Sequence, residues 1–147
     1  MRIHEIVFHM RNVRTRMPFR YGVATLTSVP ILHVTLNAET HGGVRCLGYA
    51  ADILPPKWFD KDPAKEYKDN VEDLLFVAQS AAQTLSDIGA NPTSVFDLWQ
   101  DVYAATLRAG DGRHLNHLTA AFGSTLMERA MIDALGRGIG LSYHSML

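Results

Sequence analysis

Several groups along this chain have side chains suited to acid–base, metal or nucleophilic chemistry, and their spacing decides what each can do. Asp97 and Asp101 stand four apart, and Glu66, Asp69, Glu72 and Asp73 fall within two helical turns. Carboxylates at those steps share a helix face and could meet one cation, but the same pattern makes an ordinary solvated face. His114 and His117 are three apart near an expected helix start, with no third ligand in view. His4 and His9 differ by an odd number, so on one strand they face opposite sides. Cys46 lies in a short apolar run and reads as a small buried hydrophobe rather than a nucleophile. Gly136-Arg137-Gly138-Ile139-Gly140 superficially resembles a dinucleotide loop. That fingerprint opens a helix after a strand, whereas this run closes a helix. Gly110-Asp111-Gly112 reads as a turn between helices. No G-x-S-x-G elbow, P-loop or H-E-x-x-H motif occurs. Asp133, inside MERAMIDALG, is the acid expected to be partly buried, hydrogen-bonded to a neighbouring loop or to Arg129 or Arg137. The residues themselves therefore predict no catalytic group and no metal site.

Composition narrows the classes further. Hydrophobic residues make up 47% and charged residues 20% of the 147, which is globular rather than disordered. A chain of this length buries about 68–70% of its extended surface on folding. Net charge is −1, from 14 basic and 15 acidic residues, so no field of one sign would recruit nucleic acid or an anionic membrane. Arg11, Arg14, Arg16 and Arg20 are too sparse for a nucleic-acid arm. The single cysteine excludes an intrachain disulfide and a zinc site built from cysteine pairs. The opening MRIHEIVFHMRNVRTR alternates polar and apolar residues and is neither a secretory signal nor a membrane span. A cytoplasmic location is expected.

The elements that must position any site are strands first and helices after. Ile3 to Arg14 alternates, with Ile6, Phe8 and Met10 on one face and Ile3, Glu5, Val7 and His9 on the other. Val29 to Ala38 places Leu32, Val34, Leu36 and Ala38 inward, and Val44 to Ala50 follows the turn His41-Gly42-Gly43. Beyond residue 62 the period becomes helical. Asp62-Pro63 reads as a helix start, Tyr67, Val71, Leu74, Ala78, Ala81, Leu85 and Ile88 as one stripe, and Gly89 as its end. Thr93 or Ser94 caps a second helix carrying Phe96, Trp99, Val102, Tyr103 and Leu107 inward. The third carries Leu118, Phe122, Leu126, Ala130, Ile132, Leu135 and Ile139, ends at Gly138 and Gly140, and is followed by a short turn over 141–147. The prediction is one α+β unit over 1–147: a three-stranded antiparallel meander over 1–50, then a three-helix bundle over 62–147. In a meander the segments leaving strands one and three emerge at one end of the sheet. Residues 15–28 and 51–61 are therefore expected as two neighbouring long loops, rich in Phe19, Tyr21, Val23, Leu26, Leu54, Trp58 and Phe59.

Three stretches give this order a family likeness. MPFRYGVATLTSVPILHVTL, GVRCLGYAADILP and MERAMIDALGRGIGLSYHSML resemble, in order, the first capping loop, the third strand with the second capping loop, and the closing helix of the N-terminal capping domain in the enolase superfamily. The likeness is to its mandelate racemase and muconate-lactonizing branch. It implies a capping and substrate-specificity domain whose catalytic barrel, absent here, would begin after Leu147. In that barrel a magnesium ion and a lysine or histidine base would abstract a proton next to a carboxylate, in a racemase, an acid-sugar dehydratase or a cycloisomerase. The resemblance makes Phe19, Tyr21, Val23, Thr25, Thr27 and Leu54 the substrate-facing residues, with a small carboxylate substrate held between cap and barrel. This chain alone is then not catalytic. An apolar patch left where the barrel docks would favour self-association into homo-oligomers. The alternative is a free-standing module that binds a ligand or protein through 15–28 and 51–61.

Overall fold

The computed structural model describes residues 1–146, and the part of the expected closing turn at Leu147 lies outside them. Strands β1 (Arg2–Tyr21), β2 (Ala24–Glu39) and β3 (Arg45–Ile53) precede helices α1 (Tyr67–Ile88), α2 (Val95–Asp111), α3 (His117–Ile139) and the short α4 (Tyr143–Met146). The sheet is an antiparallel meander in the order β1-β2-β3, and the helices lie against one of its faces. This is the α+β arrangement that the change of period predicts.

The strands are longer than expected. Residues 15–28 are not a loop: β1 and β2 continue as a hairpin, pairing Phe19 with Leu26, Arg20 with Thr25 and Tyr21 with Ala24. Gly22 takes φ +52° at the first central position, which a two-residue type II′ turn requires. Met17-Pro18 looks like a strand breaker because proline cannot donate to the ladder. The chain accommodates it in a bulge, where residues 15–18 oppose Thr27 alone and the Thr15 hydroxyl donates to Leu26 O at 3.2 Å. A second irregularity at His4 shifts the pairing between Ile3 and Glu5. It moves Ile3 from the expected Glu5 face into the core, while Met10 stands in solvent. Along β2 the alternation holds as expected, with Leu32, Val34, Leu36 and Ala38 buried.

The helices start and face where local hydrogen bonds dictate. Asp62-Pro63 does not open α1. Asp62 Oδ1 accepts from the Ala64 amide at 2.9 Å, a local turn that competes with helix, and α1 begins four residues later behind Glu66, whose N–H donates to Asp69 Oδ2 at 2.7 Å. Ser94 and Asn116 cap α2 and α3 by accepting from Asp97 N and Thr119 N. The buried stripe of α2 is Leu98, Val102 and Thr106, so Phe96 lies outside the core, 63% exposed, in a surface row with Trp99 and Tyr103. Helix α3 is central: Phe122, Leu126, Ala130 and Ala134 join the core, while Leu118 and Ile139 are exposed. It crosses β3 at Gly48, where an added Cβ would lie 2.0 Å from Ala130 O. Gly140, with φ +70°, ends α3, and Gly138 remains inside it against Thr40 and Cys46.

Candidate functional site

The end of the β1–β2 hairpin folds onto the segment after β3 and holds it by a specific bond. The Tyr21 hydroxyl donates to Pro56 O at 2.7 Å. Its ring meets Trp58 nearly edge-on at 5.2 Å and Phe19 at 5.7 Å. Burial, and then the nearby Tyr67, push the Tyr21 phenol above its ordinary value, so at neutral pH it is a neutral donor. Together with Leu26, Asp52, Ile53, Pro55 and Phe59, these rings line a cavity of about 300 Å³.

The second wall is pinned from behind. Leu54 N–H donates to Pro30 O at 2.9 Å, continuing the ladder past the end of β3. Lys57 takes φ +59°, uncommon for a residue with a Cβ, and three bonds hold it there. Its N–H donates to Asn70 Oδ1 at 2.8 Å, and its ammonium donates to Asp62 O and Lys65 O. The Phe59 ring packs edge-on against Phe122 at 5.3 Å, and Phe59 O accepts from Asn116 Nδ2. Below it, Lys65 bridges Asp60 at 2.6 Å and Asp73 at 2.8 Å. Burial raises the Asp60 carboxyl, but the Lys65 hydrogen bond and the Asp62 amide outweigh it and hold the carboxyl below its ordinary value. Burial likewise lowers the Lys65 ammonium, and the bonds to the two aspartates reverse that and raise it.

Of the residues named from the resemblance, the structure brings Phe19 and Tyr21 to the cavity. Val23 stands at the hairpin tip, 91% exposed. Thr25 pairs with Arg20 and, with Thr27, alternates away from Leu26, so both lie on the other face of the hairpin. Leu54 is 0% exposed and belongs to the core, where it offers a ligand no surface. Trp58 and Phe59 complete the aromatic lining, and Asp52, Ile53 and Pro55 come from the end of β3 and just beyond. The alternation of Phe19 and Tyr21 ahead of Gly22 is the signal for the hairpin. Nothing local announces Asp52 or Ile53.

Several other ionisable groups have local partners. Asp97 accepts from Ser94 at the α2 cap, and His117 lies 3.4 Å from Asp111 in an exposed pair. Asp133 Oδ2 accepts from Arg137 Nε at 2.8 Å and from the Tyr49 N–H of β3 at 2.9 Å. Arg129 turns instead to Asp52 and Ala51 O. These α3 side chains occupy backbone groups along the free edge of β3. Burial raises the Cys46 thiol, which donates to Ala38 O. Among the described residues no three His, Cys, Asp or Glu side chains gather as a metal site, and no helix is long and apolar enough to cross a membrane. A larger groove of about 810 Å³ runs along the outer face of α3, with Ile132, Leu141, Tyr143 and Met146 beside Glu128, Arg129, Asp133 and Arg137.

No family sequence model and no curated protein matches the chain. Solved structures do. A mandelate racemase/muconate lactonizing enzyme-like protein from Rubrobacter xylanophilus superposes with a TM-score of 0.63 at 20% identity, over 100% of this chain and 33% of its own. An enolase from alpha proteobacterium bal199, solved with bound Mg, gives 0.57 at 16% identity, over 94% and 32%. The L-Ala-D/L-Glu epimerase from Bacillus subtilis, in complex with substrate, gives 0.52 at 14% identity, over 93% and 32%. The chain thus spans about a third of the length of these structures. Its meander and helical bundle share the fold of the matched third of the mandelate racemase/muconate lactonizing enzyme-like protein.

Proposed function

We propose that this chain is the capping and substrate-specificity domain of a mandelate racemase or muconate-lactonizing-type enzyme, with the catalytic barrel as its partner. One observation carries the reading: two segments remote in sequence converge at one end of the sheet on a cavity lined mostly by aromatic and apolar side chains, with Asp52 among the lining residues. Such a site can bind, orient and exclude water, and it needs its chemistry supplied from elsewhere. In the parent enzyme that chemistry is proton abstraction next to a carboxylate, assisted by a divalent ion. Among the described residues no three His, Cys, Asp or Glu side chains gather to hold such an ion, and in this reading the base and metal ligands belong to the barrel. Phe19, Tyr21 and Trp58 would then contact the part of the substrate away from the reacting carbon, and racemisation, dehydration and cycloisomerisation all remain compatible with that role.

The decisive experiment is to read the coding frame beyond Leu147. Continuation into about 200–250 residues of alternating strands and helices, with acidic residues at successive strand ends, is expected. A stop codon there sinks the reading for this product. In the full enzyme, Trp58→Ala should raise KM for the true substrate about tenfold while leaving kcat within a few-fold, the pattern of lost binding.

A free-standing binding module is the second reading, favoured by the fact that residues of this chain alone line the cavity and bond its two walls together. It requires a monomer that retains ligand without any barrel.

A further inference from the structure

The helices pack against one face of the sheet, and two histidines meet on the other. Leu32 and Val34 of β2 point into the core, so His33 between them points away from the helices. The ladder pairs His33 directly with His9 of β1, and side chains directly opposite each other in an antiparallel pair stand on the same face. Ala51 of β3 pairs with His33 from the other side. Its small methyl group leaves a shallow hollow of about 420 Å³ whose lining includes His9, His33, Thr35, Tyr49 and Ala51. His9 is exposed there and His33 is half-buried.

Cross-strand geometry gives this pair its chemistry. Directly opposite residues carry Cβ atoms about 4.5–5.5 Å apart, a span that two imidazoles can close onto one ion at about 2.0–2.1 Å from each ligating nitrogen. Imidazole suits zinc, copper and nickel, whereas magnesium and calcium take oxygen donors. Other histidines of the chain lie beside carboxylates: His4 is 3.2 Å from Glu39, and His117 is 3.4 Å from Asp111. His9 and His33 face each other instead. Arg11, two residues beyond His9 on the same face, is exposed, and its long side chain can keep its charge in solvent. The open hollow admits water to complete the shell of an ion held by two protein ligands.

We propose that His9 and His33 form a two-histidine site for a divalent ion of the zinc and nickel class, which clamps β1 to β2 on the open face of the sheet. The ion ties together the two strands that run on into the Phe19–Leu26 end of the hairpin. It therefore steadies the base of the first wall of the aromatic cavity without contacting a ligand there. This inference goes beyond the capping role and is independent of whether a barrel follows.

The test titrates zinc chloride into the 147-residue chain by calorimetry, with magnesium chloride as the control, and follows the histidine ring signals by NMR. One zinc per chain should bind and move the His9 and His33 signals together, and magnesium should leave both in place. His9→Ala and His33→Ala, both outside the core, should each weaken zinc binding at least about tenfold, the loss that removing even an outer partner of a metal ligand causes. His117→Ala should leave it unchanged. Zinc should also raise the thermal midpoint of the wild-type chain, and not that of His33→Ala. No zinc binding, or an affinity that survives either single substitution, would overturn the proposal, as would ring signals that move at different zinc concentrations. So would zinc that links chains together in sedimentation instead of binding within one.

Discussion

Among the described residues, the Tyr21 hydroxyl makes the one hydrogen bond that ties the hairpin end to the opposite wall of the cavity. Tyr21→Phe removes it while keeping the ring, and should cost about 0.5–1.5 kcal/mol in urea unfolding, with Trp58 becoming more mobile. Wild-type stability in this variant would show that the two walls are held by ring packing alone. Asp60 makes the second prediction. Its carboxyl is held below the ordinary value, so the stability it contributes is complete above the unfolded-state value and is lost as pH falls through the lower folded value. Asp60→Asn should therefore lower stability at neutral pH and flatten the acid limb between about pH 5 and 3. A parallel acid profile for the two proteins would assign that limb to other carboxylates. At this scale the sequence was least informative. Asp133 was legible as a partly buried acid with an arginine partner, because charge within an apolar helical run demands one. Its bond to Tyr49, 84 positions away, was not.

Elements were legible wherever a single period runs unbroken. The β2 alternation and the α3 stripe reflect burial on one face, and local order alone reveals that. The misreadings occur where a breaker is absorbed. Pro18 and Gly22 mark a loop by type, yet one sits in a bulge and the other makes the turn of a continuing hairpin. Asp62-Pro63 has the composition of a helix start, but the aspartate is used in a tighter turn. On α2 two apolar faces compete, and packing against α1 and α3 selects Leu98 over Phe96. The hairpin supplies the third prediction. Gly22→Ala places a Cβ at φ +52° and should cost about 1–2 kcal/mol, with the loss of order concentrated at Phe19 and Tyr21 in NMR spectra. An unperturbed hairpin would show that the turn can relax to another type at no cost.

For the molecule as a whole, strand-then-helix order was readable and cavities were not, because each cavity forms only where the chain folds back on itself. The 300 Å³ cavity needs the hairpin end beside residues 52–59, and the 810 Å³ groove needs the chain to return along α3 after Gly140. That groove, with Leu141 and Tyr143 exposed, is where the isolated chain should associate with itself. Sedimentation should show oligomers that increase with concentration, and Leu141→Lys with Tyr143→Lys should give a monomer. A wild-type chain that stays monomeric at high concentration would favour the free-standing module.

Arg129 and Asp133 bear on how this protein fails as well as how it folds. By engaging Ala51 O and the Tyr49 N–H, they leave β3 little to offer an incoming strand at its centre. An incoming strand meets charged side chains there rather than free backbone groups, while β1 forms the other edge of the sheet. Two charged residues on a helix thus guard one edge of a sheet they do not belong to.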